Sequence, residues 1–122
     1  MTVEHPPRNI GLDLIRVTET AALAAGHWLG SGDHGAAHRA ATRAMASALD
    51  TLDMDGPIVI GEEREIDGRS LLACGQKVGN GNGPEVDLAV DPIDGTNLLI
   101  KGRPGAISVV GITPRNTLWS PG

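Results

Sequence analysis

Two short runs of this 122-residue chain put carboxylates where chemistry could use them. In Val86-Asp87-Leu88-Ala89-Val90-Asp91-Pro92-Ile93-Asp94-Gly95-Thr96 an apolar run ends in two aspartates, a proline, a glycine and a hydroxyl. Val86 to Val90 reads as a largely buried strand, so Asp91 should emerge at its C-terminal end. Pro92 cannot donate to a ladder and Gly95 permits a sharp turn, so Asp94 can come back near Asp91. Two carboxylates facing one small volume would repel, and one would hold its proton, unless a hard divalent cation with oxygen ligands let both ionise. A magnesium or manganese site is the economical reading. The second run, Pro57-Ile58-Val59-Ile60-Gly61-Glu62-Glu63, places another carboxylate pair just past a compact strand, where ligands gather in α/β sheets. Taken alone that pair is a solvated strand end; beside Asp91 and Asp94 it reads as part of the same site.

The elements that must position these groups follow from periodicity. Leu14, Val17, Ala21, Ala24, Ala25 and Trp28 recur at helical spacing and predict an amphipathic helix over 11–29, stopped by Gly30-Ser31-Gly32. Ala37, Ala40, Ala41, Ala44, Met45, Ala48, Leu49 and Leu52 predict a second helix over 35–52, with an alanine stripe that is plain packing surface. Asp53-Met54-Asp55-Gly56-Pro57 is a turn by composition and lacks the ligand series of a calcium loop. Arg64 to Arg69 reads as a charged loop leading into a strand over 71–74. Gly79-Asn80-Gly81-Asn82-Gly83-Pro84 reads as a tight Asn-Gly turn. A strand, and not a helix, follows its alternating glycines, which argues against a dinucleotide fingerprint. Asn97 to Ile100 makes a short helical turn, Lys101 to Gly105 breaks it, and Ala106 to Ile112 alternates as a strand. No helix covers the far side of that strand. The expected organisation is a flexible tail over 1–10, one metal-binding unit over 11–112 and a loose end over 113–122, in the α/β class with two N-terminal helices packed on a β-sheet.

Composition narrows the partners. Trp28 and Trp119 are the only aromatic residues, so the core must be built from Ala, Val, Leu and Ile. A net charge of −5 argues against nucleic acid, although a metal site could still receive an anionic substrate locally. Cys74 is alone and cannot form an internal disulfide, which fits a reducing cytoplasm. No apolar run reaches the length of a membrane span, and Met1 to Pro7 lacks the basic and apolar regions of a signal peptide. The expectation is a cytoplasmic protein with no membrane partner.

Gly61-Glu62-Glu63 followed by Asp91-Pro92-Ile93-Asp94-Gly95-Thr96 resembles the paired metal motif of the inositol monophosphatase and fructose-1,6-bisphosphatase superfamily. Arg16 to Ala24, Trp28-Leu29-Gly30, Gly32-Asp33, Ile58 to Glu62 and Lys77-Val78-Gly79 are similar to the N-terminal part of class II fructose-1,6-bisphosphatases. The resemblance implies an α+β layered sugar-phosphatase fold, here only its N-terminal part. It implies that Glu62, Asp91 and Asp94, with the backbone carbonyl of Ile93, hold Mg2+ or Mn2+. Thr96 would orient the attacking water, and Asp94, Gly95 and Thr96 would meet the substrate. That substrate would be a small sugar phosphate, fructose 1,6-bisphosphate, hydrolysed to fructose 6-phosphate and phosphate in gluconeogenesis.

The chain also departs from the family pattern. The loop after the first helix usually presents Lys-Asn-Thr-Ala-Asp, and here it reads His34-Gly35-Ala36-Ala37-His38. The aspartate expected at His38 would partner the threonine in activating water, whereas a histidine could accept a proton only from a different geometry. The acidic loop from Glu63 to Ser70 carries an inserted residue, and Gln76 stands where glutamate is usual. Asp94 and Asn97 are closer to the inositol monophosphatase form of the motif. Members of the class are more than twice as long, and their sugar-phosphate contacts lie in the part missing here. Two further readings follow: an inositol or other sugar-phosphate monoesterase, and a non-catalytic metal-binding remnant that self-associates or depends on a partner chain.

Overall fold

The protein is described by a computed structural model over residues 10–119; of the tail expected over 1–10 only Ile10 is described, as the first residue of a helix, and the last three residues also lie outside the described residues. Helices α1 (Ile10–Gly26) and α2 (His34–Asp50) precede β1 (Gly56–Ile60), β2 (Glu62–Ile66), β3 (Arg69–Leu72), β4 (Lys77–Val78) and β5 (Val86–Asp94). A single-turn helix α3 (Thr96–Ile100) and strand β6 (Ile107–Pro114) complete the order. One sheet has the order β4-β1-β5-β6, and β2 pairs with β3 as a separate two-stranded ribbon. Within the four-stranded sheet β1 and β5 are parallel, while β4 and β6 run antiparallel to their neighbours. The architecture is the expected α/β one, two helices packed on a mixed sheet.

The helix periodicity translates into one core. Val17, Ala21 and Ala25 of α1 and Ala37, Ala41, Met45 and Leu49 of α2 are buried, while small residues on α2 let the two helices approach closely. Met45, Leu49, Met54, Ile58, Leu72 and Leu88 lose essentially all contact with solvent. Full burial of such a side chain stabilises by about 1.5–3 kcal/mol, so this cluster carries the packing of helices on sheet. α1 ends at Gly26, earlier than the predicted 29, and Trp28 lies in the turn beyond it. Gly30 and Gly32 donate to the carbonyls of Leu99 and Ile100, which ties the interhelical loop to α3. Asp33 then caps α2, its Oδ1 accepting from the Ala36 amide at 3.0 Å.

Three local readings change. Arg64 to Arg69 is not a loop, because Ile66 pairs with Arg69 across a two-residue Asp67-Gly68 turn with φ of 51° and 79°. Positive φ at both centre positions is the hairpin turn whose twist matches the strands. Arg43 of α2 forms an ion pair with Asp67 and holds this ribbon against the helix. The glycine-rich segment 79–84 closes no hairpin either, since β4 and β5 lie on opposite sides of β1. Finally, β5 runs on past Val90 to Asp94, and β6 to Pro114. The extension of β5 tolerates Pro92 because β1 pairs no further along β5 than Ala89, leaving the proline beside an open edge where no ladder donor is needed.

Glycine is required where β1 gives way to β2. A Cβ on Gly61 would lie 2.1 Å from the Leu72 carbonyl oxygen and 2.6 Å from Ile58 Cγ2. Gly61→Ala is therefore expected to destabilise the fold by about 1–3 kcal/mol through overpacking. Urea unfolding followed by circular dichroism measures it; a midpoint equal to that of the parent chain would contradict the close approach of Gly61 to β3.

Candidate active site

Parallel pairing of β1 with β5 sends both strands toward the same edge of the sheet, and the candidate residues collect there. Only Gly61 separates Glu62, the first residue of β2, from β1, and Asp91 and Asp94 lie in the C-terminal half of β5. In an uninterrupted strand residues three apart face opposite sides. Here Asp91 pairs with Val109 and Asp94 with Ile107, so Pro92 and Ile93 stand against Ser108 alone. That extra residue is a bulge, and it returns Asp94 to the side of Asp91. Asp91 thus lies before the bulge inside β5 and not at the strand's end as its sequence suggested. Gly95, at φ +90°, turns the chain directly into α3, which opens with the half-buried Thr96.

The electrostatics show a site short of positive charge. Burial pushes the Asp91 carboxyl above its ordinary pKa, and the negative charges of Asp94 and Glu62 push it further. The Ile93 amide and His38 oppose them without cancelling them. Glu62 accepts from the Arg64 amide at 3.0 Å, a bond within its own strand. Glu63 turns elsewhere: its carboxylate accepts from the Cys74 amide at 2.9 Å and fastens the ribbon. His34 and His38 sit on the first turns of α2, with His34 Nδ1 3.4 Å from Arg64 Nη1. Burial holds the His38 imidazole below its ordinary pKa; Glu62 opposes this, and Arg64, His34 and Arg39 add to it.

Whether these residues suit a divalent cation can be judged from the donor set. Asp94 and Glu62 raise the cost of ionising Asp91, which is the kind of cost a hard cation relieves. Among the described residues no three His, Cys, Asp or Glu side chains stand close enough to form a finished cage, so an ion would have to draw the side chains inward. The site also has few walls. A concavity of about 790 Å³ is lined by Arg69, Ser70, Leu71, Ala73, Cys74, Gly75 and Gln76 and by none of the three carboxylates.

Asp87, three residues before Val90 in β5, does a different job. It is 3% exposed, and its Oδ2 accepts from the amides of Thr117 and Leu118 at 3.1 Å each. Burial alone would raise this carboxyl, but the Leu118, Asn116 and Thr117 amides and the Arg115 guanidinium outweigh it and hold the pKa below its ordinary value. Arg115 also donates to the Val86 and Asp55 carbonyls at 3.2 and 2.7 Å. Asn116, Thr117 and Leu118, within the stretch 113–122 expected as a loose end, are pinned here to the start of β5. Sequence reasoning missed this anchor because its partners lie about 30 residues away from Asp87.

Comparison with known proteins agrees with the motif. The sequence profile of the family described as bacterial fructose-1,6-bisphosphatase, glpX-encoded, matches residues 8–122. The chain is 50% identical over 110 residues to the class 2 fructose-1,6-bisphosphatase of Haemophilus influenzae, covering 90% of this chain and 33% of that protein. It is 47% identical over 105 residues to fructose-1,6-bisphosphatase 1 class 2 of Escherichia coli K12, covering 86% and 31% respectively. The chain spans about a third of the length of the curated relatives it matches. Among the described residues no helix is long and apolar enough to cross a membrane.

The raised Asp91 pKa makes a signed prediction. A carboxyl whose folded pKa exceeds its unfolded one contributes stability that is full below the unfolded pKa and lost as pH rises through the folded value. Without divalent metal, Asp91→Asn should therefore stabilise the chain at neutral pH, with the gain fading as pH falls into the ordinary carboxylate range. Thermal unfolding in a chelator across pH measures this. A variant less stable than its parent at pH 7 would mean that the three carboxylates do not repel.

Proposed function

The chain belongs to the bacterial, glpX-encoded fructose-1,6-bisphosphatase family, and on that premise we propose that it is the metal-binding part of a fructose 1,6-bisphosphate phosphatase. The observation that carries the reading is geometric: parallel β1 and β5 bring Glu62 to the edge where the bulge in β5 turns Asp94 to the side of Asp91. Glu62, Asp91 and Asp94, with the carbonyl of Ile93, would hold Mg2+ or Mn2+. Such an ion supplies countercharge for phosphoryl oxygens and acidifies water, the two needs of phosphate-ester hydrolysis.

The chain's own residues would do the rest. Gly95 and the first turn of α3 bring Thr96 beside Asp94, where its hydroxyl would orient a water in line with phosphorus. With the carboxylates neutralised, the edge formed by β1 and β5 becomes a seat for an anionic group, and the open side of that edge is where a sugar phosphate would enter. Positioning is the missing part. Held reactants gain up to about 7–11 kcal/mol from proximity, and a site with few walls forfeits much of that. The chain by itself would accordingly bind metal and turn over little substrate. A role confined to a reducing cytoplasm fits the single exposed Cys74.

Two measurements test the reading. Asp91→Asn should weaken Mn2+ binding far more than Asp87→Asn does, because only Asp91 shares the acidic edge; equal calorimetric affinities for the two variants would sink the metal assignment. Phosphate release from fructose 1,6-bisphosphate by purified, monodisperse chain, with saturating Mg2+ and Mn2+, should stay well under about 1 per second, the low end of ordinary enzymes. Turnover at or above that level would show that the 122 residues hold substrate unaided.

A further inference from the structure

One motif takes no part in the candidate site: Gly79-Asn80-Gly81-Asn82-Gly83-Pro84, which crosses from β4 to β5 and carries two Asn-Gly pairs. Asparagine is a thermolabile side chain, and a following glycine, lacking a Cβ, leaves its amide nitrogen open to the neighbouring carboxamide. The fold treats the two pairs differently. The Asn80 carboxamide is held at both ends: its Nδ2 donates to Asp53 Oδ1 at 2.6 Å, and its Oδ1 accepts from the Asn82 amide at 2.8 Å. The Gly81 amide, the nucleophile this pair would need, donates to the Met54 carbonyl at 3.1 Å. Asn82 and Gly83 are exposed. Among the described residues nothing bonds the Asn82 carboxamide or accepts from the Gly83 amide. Of the other described asparagines, Asn97 and Asn116 precede Leu98 and Thr117, whose side chains crowd the attacking nitrogen.

We propose that Asn82 is a self-modification site: the native fold leaves it, and not Asn80, open to deamidation through Gly83. The Gly83 amide loses its proton to solvent base, and its nitrogen attacks Asn82 Cγ. The N–Cγ bond forms, the Cγ–Nδ2 bond breaks, and ammonia leaves carrying a proton, so the product is a cyclic succinimide. Solvent water then opens the ring at either carbonyl. Breaking the N–Cγ bond gives aspartate. Breaking the bond to the main-chain carbonyl gives isoaspartate, in which the chain runs through Cγ and is longer by one carbon. Each route exchanges an amide for a carboxylate with no oxidation or reduction. The segment has little slack for the longer chain. Gly83 lies so near Asp53 that a Cβ would stand 2.3 Å from its carbonyl oxygen, and the Pro84 carbonyl accepts from the Asp55 amide at 3.0 Å. Isoaspartate between Asn80 and these anchors would displace one of them and loosen the start of β5.

The test ages the full 122-residue chain at mildly alkaline pH, folded and in guanidinium chloride, and follows each asparagine by peptide mapping with mass spectrometry. In the folded chain Asn82 should react faster than Asn80 by about tenfold or more, because the bonds at Asn80 and Gly81 must break first. In denaturant the two rates should converge. Equal rates in the folded chain, a faster Asn80, or a difference that persists in denaturant would each overturn the proposal. Chromatography separates the isoaspartate form, which should unfold at a lower temperature than the fresh chain, while an Asn82→Ser chain aged in parallel keeps its midpoint. An isoaspartate form as stable as the fresh chain would overturn the argument from the Asp53 and Pro84 anchors.

Discussion

Everything at the candidate site depends on β1 and β5 running parallel. A hairpin between them would have carried Glu62 and Asp91 to opposite ends of the sheet. Parallel strands need a crossover, and the chain uses one of 25 residues, from Gly61 to Glu85, to build the β2–β3 ribbon and β4 before it returns. Asp55 bonds the Glu85 region at the start of both strands, where its carbonyl accepts from the Val86 amide at 2.9 Å. From that fixed beginning, register alone delivers Ile58 opposite Leu88 and Ile60 opposite Ala89. The acidic groups then gather beyond the ends of β1 pairing.

The carboxylates are tolerated there because the ends of β5 are treated so differently. At its start Asp87 is buried, and backbone amides, an arginine and the turn after β6 make the charge worth burying. Farther along, just ahead of the bulge, Asp91 has mostly other carboxylates for company. One aspartate is a fastening and the other a strained charge, though they stand only four residues apart in one strand. Sites that hold a ligand are commonly built in this way, with local instability sustained by a rigid scaffold. The scaffold here is the fully buried set of Met45, Leu49, Met54, Ile58 and Leu88 behind the strands.

Much of this was legible in the sequence, for reasons that are themselves physical. The helices announced themselves because burial on one face imposes a period, and Val17, Ala21, Met45 and Leu49 obey it. The acidic edge was legible because Pro92 and Gly95 restrict the backbone that carries Asp91 and Asp94. The bulge was not, since it depends on the register with β6 and not on residue type. The β2–β3 ribbon was hidden by its charge: Glu62, Glu63, Arg64 and Glu65 look like a loop, and only Asp67-Gly68 gave the turn away. His38 was noticed as a departure from a family pattern, but its burial and unpartnered nitrogen needed the fold.

Strand β6 shows why the charged edge and the rest of the surface belong to one problem. It is an outer strand of eight residues with no charged side chain, and Ile107 and Val109 are 55% and 43% exposed. Natural edge strands usually carry a lysine, a bulge or a cover to prevent pairing with another chain, and here only Pro114 at its very end serves that purpose. The same two residues, Ile107 and Val109, are the partners of Asp94 and Asp91 across the bulge. Whatever lies against β6 therefore also borders the carboxylates. An apolar wall at that position would lower the local dielectric, strengthen the pull of the acidic groups on a cation and exclude water from a bound phosphate. The uncovered face and the missing walls of the site are one feature seen from two sides.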